Sequence, residues 1–422
     1  EILSGLVGSE MCIRDRGYAE PPGLSTNSDN GTGTMLNGDD ALDTQASVRR
    51  ANLRRALQLV FRNPGSETRA GIARATGLTA ATASSLVAEL IDLQLIVDGE
   101  QAASTGGKRA TTLSIAAEHH VILVLVIRPT DARIALVALD GAEVDTRRVA
   151  FSDESRDRML DDAVSDVAAE YSGRLLVAGV QLPGTTDGRR VFESVQLGWT
   201  DVPLAERFEA VLGIPVLLVN DVDAEAIAEA AREDESSGYR LFIHIGTGIG
   251  AAVTLDGELA PGPRDRAGEI GHVQVEFGEE ARTCRCGRQG CLESASSMTA
   301  MLGDDFNDAM DDEAIAALAA AADDERLAEG ARALARTIKL IAAVLDAAEV
   351  VIGGPARALG DRFLPLVQAE VDYTATGTTN VPVRYADSDA SISTGVAQVA
   401  LSSALGVRWS PAQLRAASAV RD

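Results

Sequence analysis

Two stretches of the chain echo each other, and that echo limits the fold more than any other feature. Residues 124–141 read VLVIRPTDARIALVALDG and residues 241–257 read LFIHIGTGIGAAVTLDG. Each is a strand, a tight turn and a second strand, ending Leu-Asp-Gly. A hairpin repeated at this distance predicts two related lobes with a cleft between them. The turns differ. Gly246-Thr247-Gly248-Ile249-Gly250 has the glycines that let backbone N–H groups converge on an anion, whereas Arg128-Pro129-Thr130 has none, and Pro129 has no N–H. A glycine turn alone is a weak signal.

Around the hairpins the pattern is α/β. Strands are expected at VILVLVI, RIALVAL, RLLVAGVQL and PVLLVND, and helices at Arg158–Tyr171, PLAERFEAVL and Asp223–Arg232. Ahead of them the period is helical from Ser47, with Leu53, Leu57, Val60 and Phe61 on one stripe and a stop at Asn63-Pro64-Gly65. A short helix follows from Thr68 to Thr76, and Thr79 can cap a third that carries Leu86, Leu90 and Leu93. Ile96-Val97, a turn at Asp98-Gly99, the loop EQAASTGGKR and the strand TTLSI complete a winged helix-turn-helix over residues 47–115.

Charge divides along the same line. The net −25 hides a segment, residues 46–113, with nine Lys/Arg against five Asp/Glu, while residues 114–422 carry −23. A basic module on an acidic body points to one part that meets phosphates. In that module Thr79, Thr82, Ser84 and Ser85 on the third helix and Lys108 and Arg109 in the wing are the candidate DNA contacts. No Arg or Asn stands ready on the helix for a bidentate base contact, so no operator sequence can be read. A helix-turn-helix serving only as a protein-interaction domain is the alternative.

The longest apolar run, Val121–Ile127, is far short of the ~20 residues that cross a bilayer. With no secretory leader recognised, the expectation is a cytoplasmic chain without a membrane partner. Residues 1–46 are expected to be a disordered leader. Within it Ser4–Arg16, SGLVGSEMCIRDR, looks like translated sequencing-adapter read-through, and Met35 is a candidate start.

Three of the four cysteines fall within eight residues, in GHVQVEFGEEARTCRCGRQGCLE. Cys284, Cys286 and Cys291 with His272 form a complete tetrahedral zinc set on one loop, and Gly287 and Gly290 permit the tight backbone it needs. Four protein ligands leave no position for water, so the zinc expected here is structural.

AGEIGH followed by CRCGRQGCLE resembles the signature of the ROK family (repressors, open reading frames and sugar kinases), and the preceding helix-turn-helix resembles its repressor branch. The resemblance spans about Ser47 to Leu405. It implies an α/β chain: a winged helix-turn-helix, then two ribonuclease-H-like lobes of the actin and hexokinase type, about 116–240 and 241–422. By position it carries sugar contacts onto Pro183, Gly184, Asn220, Asp221, Glu269, His272 and Glu293. In the family's kinases Asp221 would be the general base. The family's first phosphate loop, Asp-x-Gly-Gly-Thr, falls on Val126, Ile127, Arg128, Pro129 and Thr130, so the metal-holding acid has become valine and two glycines are gone.

The expectation is a DNA-binding regulator, a homodimer or homotetramer, that holds a monosaccharide or sugar phosphate without phosphorylating it. Gly246, Thr247 and Gly248 are then a vestigial phosphate loop. The alternative is an ATP-dependent sugar kinase with an appended DNA-binding domain. The departures are Ala80 and Ala81 where relatives place a basic residue, Lys108-Arg109 in place of Arg-Pro, and Gln196 in place of asparagine.

Overall fold

The computed structural model describes residues 40–101, 110–232, 237–260, 262, 267–308, 310–372, 381–387 and 392–419. The leader through residue 39, Met35 included, lies outside them, as do Lys108 and Arg109. The described residues fall into two compact units. One runs to Val121 and takes in Ala138–Asp140 and Ala400–Trp409, and the other comprises the remainder.

The first unit opens with α1 (Asp40–Arg62), β1 (Glu67–Thr68), α2 (Arg69–Thr76), α3 (Ala80–Asp92), β2 (Ile96–Gln101) and β3 (Thr111–Ile115). Helix α1 buries Leu53, Leu57, Val60 and Phe61, and α3 buries Ala83, Leu86, Val87 and Leu90. A large apolar side chain contributes ~1.5–3 kcal/mol when fully removed from water. Caps set the helix starts: Thr68 accepts from the Gly71 N–H and Thr79 from the Thr82 N–H, while Gly77 ends α2 at φ +71°. The three strands pair in the order β1-β3-β2.

The turn expected at Asp98-Gly99 is absent. Strand β2 runs on to Gln101, and a register shift between Asp98 and Gln101 takes its place. Asp-Gly favours a turn, but ladder pairing to β3 extends past it, and the glycine is absorbed as a bulge. Also within this unit, Gln58 and Arg408 exchange two hydrogen bonds: the Gln58 amide donates to the Arg408 carbonyl at 2.9 Å and accepts from its N–H at 2.7 Å.

Beyond β3, and for the most part in the second unit, the chain forms β4 (Val121–Ile127), β5 (Asp131–Ala138), β6 (Glu143–Ala150), α4 (Arg156–Glu170), β7 (Leu175–Leu182), β8 (Thr185–Thr186), β9 (Val191–Ser194), β10 (Trp199–Val202), α5 (Leu204–Leu212), β11 (Val216–Asn220) and α6 (Asp221–Ala230). It continues through β12 (Tyr239–Ile245), β13 (Ile249–Leu255), β14 (Glu258–Leu259), α7 (Leu292–Ser296), α8 (Met298–Leu302), α9 (Asp312–Ala321), α10 (Asp324–Leu345), β15 (Glu349–Gly353), α11 (Leu364–Asp372), β16 (Val383–Tyr385), α12 (Ile392–Leu405) and α13 (Pro411–Ala419).

The echo in the sequence is an echo in the sheets. One five-stranded sheet runs β11-β7-β4-β5-β6 and the other β16-β15-β12-β13-β14. Each has its duplicated hairpin at the centre and on one flank, a third strand outside it, and two later strands on the opposite flank. The later strands add in parallel, β11 on β7 and β16 on β15. Strands β4 and β7 are buried along their whole lengths, which is why they read as unbroken apolar runs. These are ribonuclease-H-like sheets, and with the winged helix they give the α/β architecture expected. Among the described residues no helix is long and apolar enough to cross a membrane.

Candidate functional site

The end of β11 and the start of α6 carry Asn220 and Asp221. Asn220 is the helix cap: its Oδ1 accepts from the Val222 N–H at 2.8 Å and its Nδ2 donates to the Gly184 carbonyl at 2.7 Å. Both ends of the amide are therefore engaged, and one of their tasks is to hold the Pro183-Gly184 turn. That turn is fastened again where Ser194 Oγ donates to the Pro183 carbonyl. Gly184 sits at φ +133°, and a Cβ there would fall 2.4 Å from the Glu193 carbonyl oxygen, so no other residue fits without strain.

Asp221 meets the second sheet. Val222 packs against Gly250 on β13, where a Cβ would come within 2.9 Å of the valine side chain, so the glycine lets α6 approach the β12–β13 turn. His244, on β12, lies there with Nδ1 2.9 Å from Glu225 Oε2. Burial alone would lower the imidazole pKa, but the charge of Glu225, its hydrogen bond and the charge of Asp221 hold it up at about 9. Burial pushes the Asp221 carboxyl up to about 6 against the favourable charge of His244. Sequence reasoning passed over this pair. Two signs were available: a lone histidine in the apolar strand LFIHI, and Glu225 four residues after Asp221, on the same helix face.

Several donors of the glycine turn have partners within the chain. The Gly246 N–H donates to the Gly248 carbonyl at 2.9 Å, and the Thr247 N–H donates to Asp308 Oδ1 at 3.0 Å. The Thr247 hydroxyl donates to the other Asp308 oxygen, and the Ile249 N–H points to Glu293 Oε2 at 3.4 Å. Three backbone donors of the turn are thus engaged inside the protein, two of them by carboxylates. In the opposite lobe the Arg128-Pro129 turn is braced from below by the buried Arg156, which donates to the carbonyls of Pro129 (3.0 Å) and Leu197.

The GEIGH segment lies against β13 so closely that a Cβ on Gly268 or Gly271 would strike the carbonyl oxygens of Ala251 or Ile249. Those contacts fix the 3-10 turn Ile270–His272, with Glu269 just ahead of it as its cap. His272 then faces the cysteine loop: its Nδ1 lies 3.8 Å from Cys284 Sγ, and Cys286 and Cys291 place their sulfurs 3.7 Å apart. The four ligand atoms all lie within 4.8 Å of one another. A tetrahedral centre with ~2.3 Å metal–sulfur bonds spaces its sulfurs by ~3.8 Å, so the donor set fits.

The three thiols differ in acidity. Burial pushes Cys291 up to about 12 and raises Cys284, while the Arg288 backbone N–H draws the exposed Cys286 down to about 6. Gly290, at φ +74° and with the Glu276 carbonyl oxygen where a Cβ would be, closes the loop.

Glu293, a residue whose type favours solvent, is 8% exposed. Its Oε1 lies 3.8 Å from Cys284 Sγ and accepts from Arg285 Nε at 2.7 Å. Arg285 continues to the Thr247 carbonyl at 2.6 Å, tying the cysteine loop to the glycine turn. Sequence reasoning missed this link because an arginine between two cysteines shows no period or spacing of its own. Of the predicted positions, the structure unites His272 with the cysteines, Glu293 with the glycine turn, and Asn220 with Gly184. On α3, Thr79 and Thr82 bond each other at 2.9 Å between hydroxyls, and Ser84 and Ser85 are exposed.

Curated relatives include a putative xylose repressor from Caldicellulosiruptor sp. strain Rt8B.4, 28% identical over 248 residues, 56% of this chain and 61% of the relative. An N-acetylmannosamine kinase from Salmonella typhimurium is 32% identical over 177 residues, 41% of this chain and 60% of that one. The chain thus spans about three fifths of the length of these relatives. Among solved structures, a ROK family transcriptional regulator described as a homologue of the E. coli Mlc protein superposes with TM-score 0.69 at 19% identity, covering 85% of this chain and 98% of its own. The ROK hexokinase from Thermus thermophilus gives 0.55 at 25% identity, over 66% and 97%. The ROK family model itself matches residues 127–399, most of the second unit with its paired sheets and its cluster of one histidine and three cysteines, and the chain belongs to the ROK family.

Proposed function

We propose that the chain is a sugar-responsive transcriptional regulator, a repressor, that binds a monosaccharide or its phosphate in a kinase-like cleft without phosphorylating it. The observation that carries this reading is the engagement of the glycine turn by Asp308 and Glu293 in a chain that also bears a winged helix-turn-helix. Phosphoryl transfer relies almost wholly on positioning and on charge stabilisation of the moving group. A turn with two amide donors already bonded to carboxylates, in a chain whose other hairpin turn has proline in place of glycine, supplies little of either.

Pro183, Gly184, Asn220, Asp221, Glu269, His272 and Glu293 are the proposed sugar contacts, because carboxylates and amides match the vicinal hydroxyls of a pyranose. His272, Cys284, Cys286 and Cys291 would hold zinc. When bound, the ion supplies loop stability and a fixed His272 ring. Thr79, Thr82, Ser84, Ser85, Lys108 and Arg109 are the proposed DNA contacts, within a module at 47–115 ahead of lobes at about 116–240 and 241–422. The acting form is a cytoplasmic homodimer or homotetramer on a double-stranded operator, with sugar-driven lobe closure changing the fit to half-sites ~34–36 Å apart. Relatives named as xylose repressors support this reading.

The competing reading, an ATP-dependent sugar kinase, is favoured by the retained Asp221 at the head of α6 and by relatives named as kinases. A coupled ATP-consumption assay across common hexoses separates the two. The regulator shows no turnover above background and releases operator DNA when its sugar is added. Turnover that disappears in Asp221→Asn establishes the kinase.

A further inference from the structure

Asp221 lies within reach of the charge of His244, whose ring borders Gly246, so a group carried on a hydroxyl that touches Asp221 comes close to the turn at Gly246–Gly248. What stands there is the wrong environment for a phosphate. The His244 ring fills the space between two glycines: its atoms lie within about 3 Å of where a Cβ on Gly246 or on Gly354 would sit. The positive charge of that ring is matched by Glu225 at 2.9 Å, with Asp221 behind it. Asp308 faces Gly246 from the other side, within 2.7 Å of the same Cβ position, and takes both donors of Thr247. Arg285, a further cation at the turn among the described residues, is engaged by Glu293 and by the Thr247 carbonyl. Three carboxylates therefore surround one imidazole, and the N–H groups of Gly246, Thr247 and Ile249 are already bonded.

A dianion placed here would gain no free donor from those three amides and would face uncompensated negative charge, the arrangement by which a site rejects a charged analogue of its ligand. A neutral sugar meets no such barrier, since its hydroxyls donate to carboxylates as readily as water does. We infer that the effector is an unphosphorylated sugar, seated with a free hydroxyl against Asp221. This rests on the reading of the cleft as a sugar site and specifies which chemical form of sugar that site takes.

The test is calorimetric titration of the full chain with matched pairs: D-glucose, N-acetyl-D-glucosamine and N-acetyl-D-mannosamine, each beside its 6-phosphate, and D-xylose beside its 5-phosphate. Inorganic phosphate is the further probe. The expected result is one free sugar bound at least 100-fold more tightly than its phosphate, ~2.7 kcal/mol. Glu225→Gln with Asp308→Asn should narrow that gap at least tenfold, and Asp308→Asn alone, which keeps an acceptor for Thr247, should narrow it in part. A phosphate ester binding as tightly as its parent sugar overturns the inference but leaves the sugar site standing. So does phosphate binding that vanishes in Arg128→Ala, which would put the anion on the first lobe's turn. A gap unchanged in both variants also overturns it. No response to any sugar or phosphate ester overturns this inference and the sugar reading together.

Discussion

Replacing Glu225 with glutamine tests the electrostatics of the cleft through stability alone, with no ligand needed. The imidazole of His244 is held at about 9, against an ordinary 6.5, chiefly by Glu225 acting against burial. A histidine whose folded value lies above its unfolded one binds its proton more tightly in the folded protein. Its contribution is therefore present in full below pH 6.5 and lost as pH rises through 9. A shift of this size corresponds to ~3 kcal/mol at ~1.4 kcal/mol per unit. With 22% of the side chain still exposed, that figure is a ceiling. In Glu225→Gln the acceptor survives and the charge does not, so the neutral ring keeps its hydrogen bond and the pH-dependent gain goes.

The assay is thermal melting between pH 6 and pH 9.5. The wild-type melting temperature should fall across this window, by up to ~6–12 °C if a lobe responds as a domain of 150–250 residues does. The variant should start lower at pH 6.5 and meet the wild type near pH 9. Asp221 acts in a different window. Its carboxyl, raised by burial to about 6, makes ionisation costlier in the folded state, so stability drops between pH ~4 and 6 in both proteins. Parallel curves for wild type and variant from pH 6.5 to 9.5 would refute the assignment of the charge to the His244–Glu225 pair.

Three further outcomes follow from the geometry. Elemental analysis should find one zinc per chain, and chelation or Cys291→Ser should both remove it and lower the melting temperature, because closed sites of this kind contribute ~10 kcal/mol in isolated zinc-finger peptides. Gly184→Ala should cost ~1–3 kcal/mol in denaturant unfolding, since φ +133° and the Glu193 carbonyl at 2.4 Å leave no room for a Cβ. On α3, Thr79→Ala should lose ~1 kcal/mol of stability through its cap, whereas Ser84→Ala with Ser85→Ala should stay within ~0.5 kcal/mol and weaken operator binding in a gel-shift assay.

How much of this was legible in the sequence depends on the range of the interaction that fixes each feature. The cap at Thr79, the short helix from about Thr68 to Thr76, the stop at Asn63-Pro64-Gly65 and the apolar runs of β4 and β7 are local and were read correctly to within a few residues. The cysteine cluster was legible because one loop supplies three ligands and the fourth lies a dozen residues earlier. Strand β6, with alternating exposure and a sequence, EVDTRRVA, rich in charge, was missed, since as an outer strand it pairs on one side only. The links that shape the cleft were also missed. Asp308 to Thr247 and Arg156 to Pro129 join residues 61 and 27 positions apart, and nothing periodic marks either end.

The duplicated hairpins show why the two halves of one cleft can change independently. Each turn hangs on a sheet whose interior is apolar and closed, so substitutions at its tip leave the core intact. In the first lobe the tip has proline and no glycine, and Arg156, a buried cation, donates to the Pro129 carbonyl. In the second the glycines stayed because the backbone there is crowded: Gly246 and Gly250 each have another side chain where a Cβ would go. Glycines of this kind are demanded by packing alone, whatever the turn binds. Close packing accounts for them beside amide donors that have partners within the chain, so the glycines by themselves do not report what the turn binds.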